Sequence, residues 1–191
     1  MIQLIKEIHL ITSINSGPLC DKRGKQKWKE YHLSIFDGSN SSFNWSEIAK
    51  RDYLDESLIL RSVERYIKEF SKMEVKEDLY SLLHNDYNQN NIFIDLLNNK
   101  VVGIIDWGDA IFGDPTYDFS RLRLLFWHYN LWDKVKNYYY KLLGFSSEQK
   151  ELEDLYFISR VMEYLSYYSR KIDEFSIPRI KAHQSFLRNL D

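Results

Sequence analysis

Seven glycines, three prolines and one cysteine in 191 residues exclude several architectures at once. A single cysteine, Cys20, cannot form an intrachain disulfide framework, and nothing beside it in sequence would lower its pKa; it reads as a structural thiol in a reducing compartment. No apolar run approaches the roughly 20 residues needed to cross a bilayer. The N-terminal MIQLIKEIHLI is interrupted by Lys6, Glu7 and His9 and lacks the cationic start and cleavage site of a signal peptide. Twenty-six basic against 28 acidic side chains leave a net charge of -2, so no basic field suggests nucleic acid. The five histidines show no zinc-binding spacing. These absences indicate a cytoplasmic protein with neither a membrane nor a nucleic-acid partner. No Gly-rich phosphate loop occurs anywhere, and no lysine sits in an apolar strand before His84.

Aromatic residues are plentiful: 14 Tyr, 11 Phe and 5 Trp supply ample material for a packed core. Apolar residues recur at helical spacing over 1–14, 28–36, 45–51 and from Asp55 or Ser57 to about Lys72. Asn15 to Pro18 and Asp37 to Ser42 read as breaks, and the basic stretch from Lys22 to Lys27 as a solvated loop. Strands are expected at 78–83, 92–94 and 101–105, the last two forming a hairpin around Asn98-Asn99. Beyond Pro115 four helices are expected, over 117–129, 132–143, 148–169 and 177–190, with Gly144 and Pro178 as breakers. There is no internal repeat or linker, and the chain reads as one domain.

The stretch HNDYNQNNIFID, from His84 to Asp95, and GIIDWGDAIFGDPTYDF, from Gly103 to Phe119, are chemically dense. His84, Asp86 and Asn91 have the spacing H-x-D-x-x-x-x-N. A hairpin then delivers Asp106. Asn-rich turns between strands are ordinary, and the first motif alone is close to even odds between a turn and a site. The second segment, with Ile-Ile-Asp-Trp followed by Gly113-Asp114-Pro115 and Tyr117-Asp118-Phe119, tips the balance. Phosphoryl transfer needs hard oxygen ligands for Mg²⁺ and a carboxylate to orient the attacking hydroxyl.

On these residues the sequence resembles the aminoglycoside phosphotransferase and choline kinase-like family, small-molecule kinases of the protein-kinase-like fold. The match is dense from Leu83 to Leu122 and weaker around Gly17 and Trp28. The later helices match in pattern only. The resemblance implies an α+β, predominantly α-helical fold: the C-terminal lobe of the kinase-like fold with a small central β-hairpin and the N-terminal β lobe absent. Its parts would be a helical segment after the lobe hinge (1–77), the catalytic and metal-binding loops (78–122) and a helical subdomain (123–191). Asp86 would be the catalytic base. Asn91 and Asp106 would hold Mg²⁺. His84, Asp114 and Asp118 would support the loop and the following helix, the last two also reading as helix N-terminal anions and caps. Asn85 and Trp107 stand where protein kinases carry Arg and Phe-Gly, which argues for a small-molecule kinase.

The implied reaction is transfer of the γ-phosphate of ATP (or GTP) to a hydroxyl of a small molecule, an aminoglycoside-type antibiotic among the candidates, with resistance as the consequence. A cationic acceptor would call for acids such as Asp109, Glu163, Asp173 and Glu174, of which Asp109 has the best placement; each taken alone reads as a solvated acid. Without a lysine clamp the chain would be part of a longer kinase, work with an N-lobe supplied in trans, or serve as an inactive lobe that binds a ligand or protein. The first helix would then expose an apolar face that favours self-association or a partner chain.

Overall fold

A computed structural model describes residues 2–19 and 27–190, so Cys20 and most of the basic loop after it lie outside the described residues. The chain falls into two compact units, one built from residues 1–28 and 75–157, the other from 29–74 and 158–191. Among the described residues no helix is long and apolar enough to cross a membrane.

The first unit holds all the strands. Its opening helix α1 (Ile2–Ile8) is half the length that the apolar spacing suggests. The chain leaves the helix because β1 (Thr12–Ser13) pairs with β3 (Tyr80–Leu83), and Ile11 O takes Leu82 N–H at 2.8 Å. A further two-residue strand β2 (Gly17–Pro18) pairs with β6 (Ile111–Gly113), which in turn pairs with β3. The result is a four-stranded antiparallel sheet in the order β1-β3-β6-β2. Only β3 of this sheet is legible in the sequence, because two- and three-residue strands are too short to show a period of two. Strands β4 (Ile92–Asp95) and β5 (Lys100–Ile104) form the expected hairpin, with an irregularity in register between Phe93 and Ile94. Its turn is held by the Asp95 carboxylate, which accepts from Leu97 N, Asn98 N and Asn98 Nδ2.

Helix α5 (Pro115–His128) starts where the sequence says it should. Asp114 caps it by accepting Thr116 N–H at 2.8 Å, and Pro115 occupies the first turn, where its missing N–H costs nothing. Helix α6 (Trp132–Leu143) closes at Gly144, whose φ of 69° suits glycine and whose N–H reaches Tyr140 O. Ile5, Tyr87, Phe119, Leu122, Tyr139 and Leu143 form a core cluster under the sheet and helices. Arg123 is buried between the rings of Trp132 and Phe157 and donates to Glu153 at 2.6 Å. Trp28, fully buried, donates from Nε1 to Tyr156 Oη at 2.8 Å and packs edge-on against Tyr117. Its ring fills the space beside Gly113, where a Cβ would fall 2.4 Å from a ring carbon.

The second unit is helical. It holds most of α2 (Trp28–Ser34), α3 (Trp45–Ile48), α4 (Glu56–Phe70), the later part of α7 (Ser147–Tyr168) and α8 (Ser176–Arg188). Asp55 caps α4 by accepting Leu58 N–H, as the sequence suggests. Leu58, Ile59, Val63, Tyr66 and Phe70 are its buried stripe, and His32, Phe36 and Trp45 pack against its aromatic end. Pro178 does not break α8. It lies in the first turn, where no intrahelical N–H is needed. The largest exposed apolar side chains are not on α1. Leu10, Ile11 and Ile14 follow it, while Phe93, Ile94, Leu96, Leu97 and Val102 crowd the β4–β5 hairpin.

Candidate active site

Every residue of the two dense motifs belongs to the first unit, and the loop between β3 and β4 is where they meet. Its backbone is suspended from one carboxylate. Asp118, on the first turn of α5 and fully buried, accepts His84 N–H on Oδ2 at 3.0 Å and Asn85 N–H on Oδ1 at 2.8 Å. The same Oδ2 meets His9 Nε2 at 3.1 Å, and the His9 ring stands edge-on to Phe119. Asn85 takes a φ of 68°, a left-handed conformation that Asn tolerates better than most residues, and its Nδ2 donates to Asp109 O.

His84 joins the two motifs. Its ring is buried, stacked on Tyr87 and touched edge-on by Trp107. Nδ1 accepts Asp86 N–H at 3.2 Å, which places the ring proton on Nε2, and Nε2 donates to Ile105 O at 2.9 Å. One histidine thus links the backbone just before Asp106 to the backbone of Asp86.

Asp86 is three-quarters buried and heavily solvated by protein. Oδ1 accepts Arg121 Nη2 at 2.9 Å, and Oδ2 accepts Asn88 Nδ2 and Asn91 Nδ2, both at 2.9 Å. Burial alone would raise its carboxyl. The Arg121 charge and the bonds from Arg121, Asn88 and Asn91 outweigh that and hold it below the usual carboxylate range. The Tyr87 hydroxyl is pushed far up by burial and by the Asp118 charge, so it stays neutral.

Asn91 and Asp106 sit side by side at the open end of the hairpin, where Ile105 N–H donates to Asn91 O at 3.0 Å. Asn91 is buried and spends its Nδ2 on Asp86 O and Oδ2, which leaves Oδ1 as its available acceptor. Asp106 adopts a φ of 65°, and its exposed carboxylate makes no side-chain hydrogen bond among the described residues. One amide oxygen and one free carboxylate are hard donors that fit Mg²⁺ sharing its shell with phosphate oxygens and water. Among the described residues no group of three or more His, Cys, Asp or Glu could enclose a metal. The remaining ligands would be water and phosphate oxygens.

The other sequence-derived candidates fall in different places. Asp114 makes no hydrogen bond to the loop among the described residues. It caps α5, and its Oδ2 faces Tyr156 Oη at 3.4 Å; burial pushes its carboxyl up against the bonds that hold it down. Asp109 is exposed beside the loop, tied to it through its backbone carbonyl. Glu163 belongs to the second unit, where it pairs with Arg160 and accepts from Ser159 Oγ, and the Asp173 carboxylate accepts the Phe175 and Ser176 N–H groups at the start of α8. Arg121, Asn88 and His9 escape a motif-by-motif reading. The spacing Asp118-x-x-Arg121 was the available signal for Arg121, since residues three apart share a helix face.

Solved structures of similar fold include an aminoglycoside phosphotransferase and a putative fructosamine-3-kinase. A thermostable mutant of aminoglycoside phosphotransferase APH(4)-Ia, in its apo form, superposes with a TM-score of 0.68 at 16% identity, covering 99% of this chain and 62% of that one. A ternary complex of the same enzyme with ADP and hygromycin B gives 0.67 at 17% identity, covering 99% and 61%. A putative fructosamine-3-kinase from Haemophilus somnus 129PT gives 0.55 at 17% identity, covering 97% and 60%. The chain thus spans about three-fifths of the length of the structures it matches. No curated protein matches its sequence. The model of the phosphotransferase enzyme family matches residues 1–154, and the chain belongs to that family.

Proposed function

We propose that this chain is the acceptor- and metal-bearing lobe of a small-molecule kinase, which transfers the γ-phosphoryl group of ATP (or GTP) to a hydroxyl, with aminoglycosides as the leading acceptor class. The observation behind it is the convergence at one loop of an ionised, oriented carboxylate, Asp86, with an amide oxygen and a free carboxylate, Asn91 and Asp106. Family membership and the kinase identity of the structural neighbours support the reaction class. The neighbour bound to ADP and hygromycin B supports a nucleotide donor and this acceptor class.

In this reading Asp86 receives the acceptor hydroxyl, orients its oxygen and takes its proton late in the transfer. Asn91 Oδ1 and the Asp106 carboxylate hold Mg²⁺, which when bound neutralises charge on the transferring phosphates. His84 keeps the two halves of the site in register, and Asp118 fixes the loop backbone. Asp109, beside the loop, is the best placed acid for a cationic acceptor. Nucleotide clamping needs a lysine and a phosphate-covering loop, which this sequence lacks. An N-lobe, carried by a longer chain or supplied in trans, is therefore part of the proposal.

That same lack favours a second reading, an inactive lobe that keeps a ligand-binding or protein-interaction role. The test is transfer of label from γ-labelled ATP with Mg²⁺ to a panel of aminoglycosides, comparing the chain with Asp86→Ala. Transfer that falls about a thousandfold in the variant supports the kinase reading. No transfer even when the chain is fused to the nucleotide-clamping N-lobe of an aminoglycoside phosphotransferase favours the inactive lobe. Equal transfer by both proteins rules out Asp86 as the base.

A further inference from the structure

We propose that Arg121 is a positioning residue for Asp86, holding the carboxylate in one orientation so that a single lone pair of Oδ1 remains for the acceptor hydroxyl. The inference rests on the kinase reading of the same loop and adds a residue to it.

A carboxylate offers about four acceptor directions. Three are filled from within the protein: Arg121 Nη2 on Oδ1, and Asn88 Nδ2 and Asn91 Nδ2 on Oδ2, each at 2.9 Å. The Arg121 side chain is only 6% exposed against 26% for Asp86, so the guanidinium lies behind the carboxylate rather than in solvent. The remaining direction on Oδ1 is the one open to a ligand.

The placement is economical in sequence. Asp118 holds the loop backbone at His84 and Asn85, and Arg121, one helical turn later on α5, holds the side chain between them in space. One face of α5 therefore sets both the path of the loop and the direction of its carboxylate. Asn91 is coupled to the same point. Because its Nδ2 is spent on Asp86, the carboxylate's orientation also decides where Asn91 Oδ1 faces. Arg121 thus acts on the base and, through it, on the metal-side amide.

A buried ion pair contributes little net stability, since desolvation offsets most of its attraction. What it does supply is fixed geometry. A carboxylate bound to a guanidinium is a weak base, but phosphoryl transfer through a loose transition state asks for orientation of the hydroxyl more than for proton affinity.

The test uses the full chain, labelled with nitrogen-15, as wild type, Arg121→Gln, Arg121→Lys and Asp86→Asn. In the wild type the side-chain amides of Asn88 and Asn91 should be protected from exchange. Arg121→Gln should speed their exchange roughly tenfold or more, as loss of a charge-assisted hydrogen bond implies. Asp86→Asn should give the same pattern, and Arg121→Lys an intermediate one. The backbone amides of His84 and Asn85, held by Asp118, should stay as they are. Unchanged Asn88 and Asn91 signals in Arg121→Gln would overturn the proposal. So would equal loosening of His84 and Asn85, which would mean that Arg121 only supports the fold. If Arg121→Gln does not fold, Arg121→Lys decides by the same signals. This readout needs no catalysis, so failure of the kinase reading is seen separately, as absence of transfer. Where transfer is measured, Arg121→Gln should lower kcat about a hundredfold while the acceptor KM stays unchanged; a change in KM alone counts against positioning.

Discussion

Replacing Asp118 by Asn probes the attachment of the loop between β3 and β4 with almost no change in shape. The native carboxylate is fully buried and receives three donors: His84 N–H, Asn85 N–H and the His9 ring. An amide keeps one acceptor oxygen and presents an NH₂ in the other position. If the oxygen stays with His84 and His9, the NH₂ faces Asn85 N–H. If it turns to Asn85, the NH₂ faces His84 N–H. Either way one buried backbone donor loses its acceptor and meets another donor. Stranding such a group costs about 1–3 kcal/mol, and the charge-assisted character of the lost bonds puts the expected value at about 2–3 kcal/mol. For a chain of this length that is a fall in Tm of roughly 4–12 °C. Amide exchange at His84 and Asn85 should rise by at least about tenfold, while the centre of α6 stays protected. Wild-type Tm together with wild-type exchange at both residues would refute the assignment of Asp118 as the loop's anchor.

Two further substitutions test the surrounding frame. Gly113→Ala would drive a methyl group to within 2.4 Å of the Trp28 ring, which its bond to Tyr156 and its contact with Tyr117 prevent from yielding. Chemical denaturation should record a loss of about 1–3 kcal/mol, and Trp28→Phe in the same chain should recover part of it; a loss too small to measure would contradict the packing. Asp55→Ala should cost about 1 kcal/mol as a lost helix cap. The Leu58 N–H, Ser57 and Arg188 hold the Asp55 carboxyl below its ordinary value, so its contribution is present above the unfolded carboxylate range and fades as pH falls through the lower folded value. Stability curves of the variant and wild type should therefore converge in acid below about pH 4, and a gap that persists there would show that the effect is not electrostatic.

The loop residues were visible in advance because the chemistry imposes residue types at short fixed spacings. His84, Asp86 and Asn91 lie within eight positions, and a hairpin of recognisable composition brings Asp106 back beside Asn91. The helices after Pro115 were legible for a similar reason. Asp114, Pro115 and Gly144 are local start and stop signals whose physics does not depend on distant neighbours. The end of α1 was not legible. Its apolar stripe continues past Ile8, but pairing with β3 draws residues 11–13 into a sheet that local pattern cannot announce.

By itself, then, the sequence determined which residues are candidates for the site and where α5 and the β4–β5 hairpin begin and end, because motif spacing and capping are short-range properties. Only the tertiary structure decided how the site is held. His9 reaches Asp118 across 109 positions, and Arg121 reaches Asp86 across 35. Both are polar side chains whose partners lie on other elements, and only the Asp118-x-x-Arg121 spacing hints at either in the sequence. Burial is what separates the two cases. A buried guanidinium or imidazole must find an acceptor or destabilise the fold, and the acceptors found here are the Asp86 carboxylate, proposed to meet the hydroxyl, and the Asp118 carboxylate that suspends the loop.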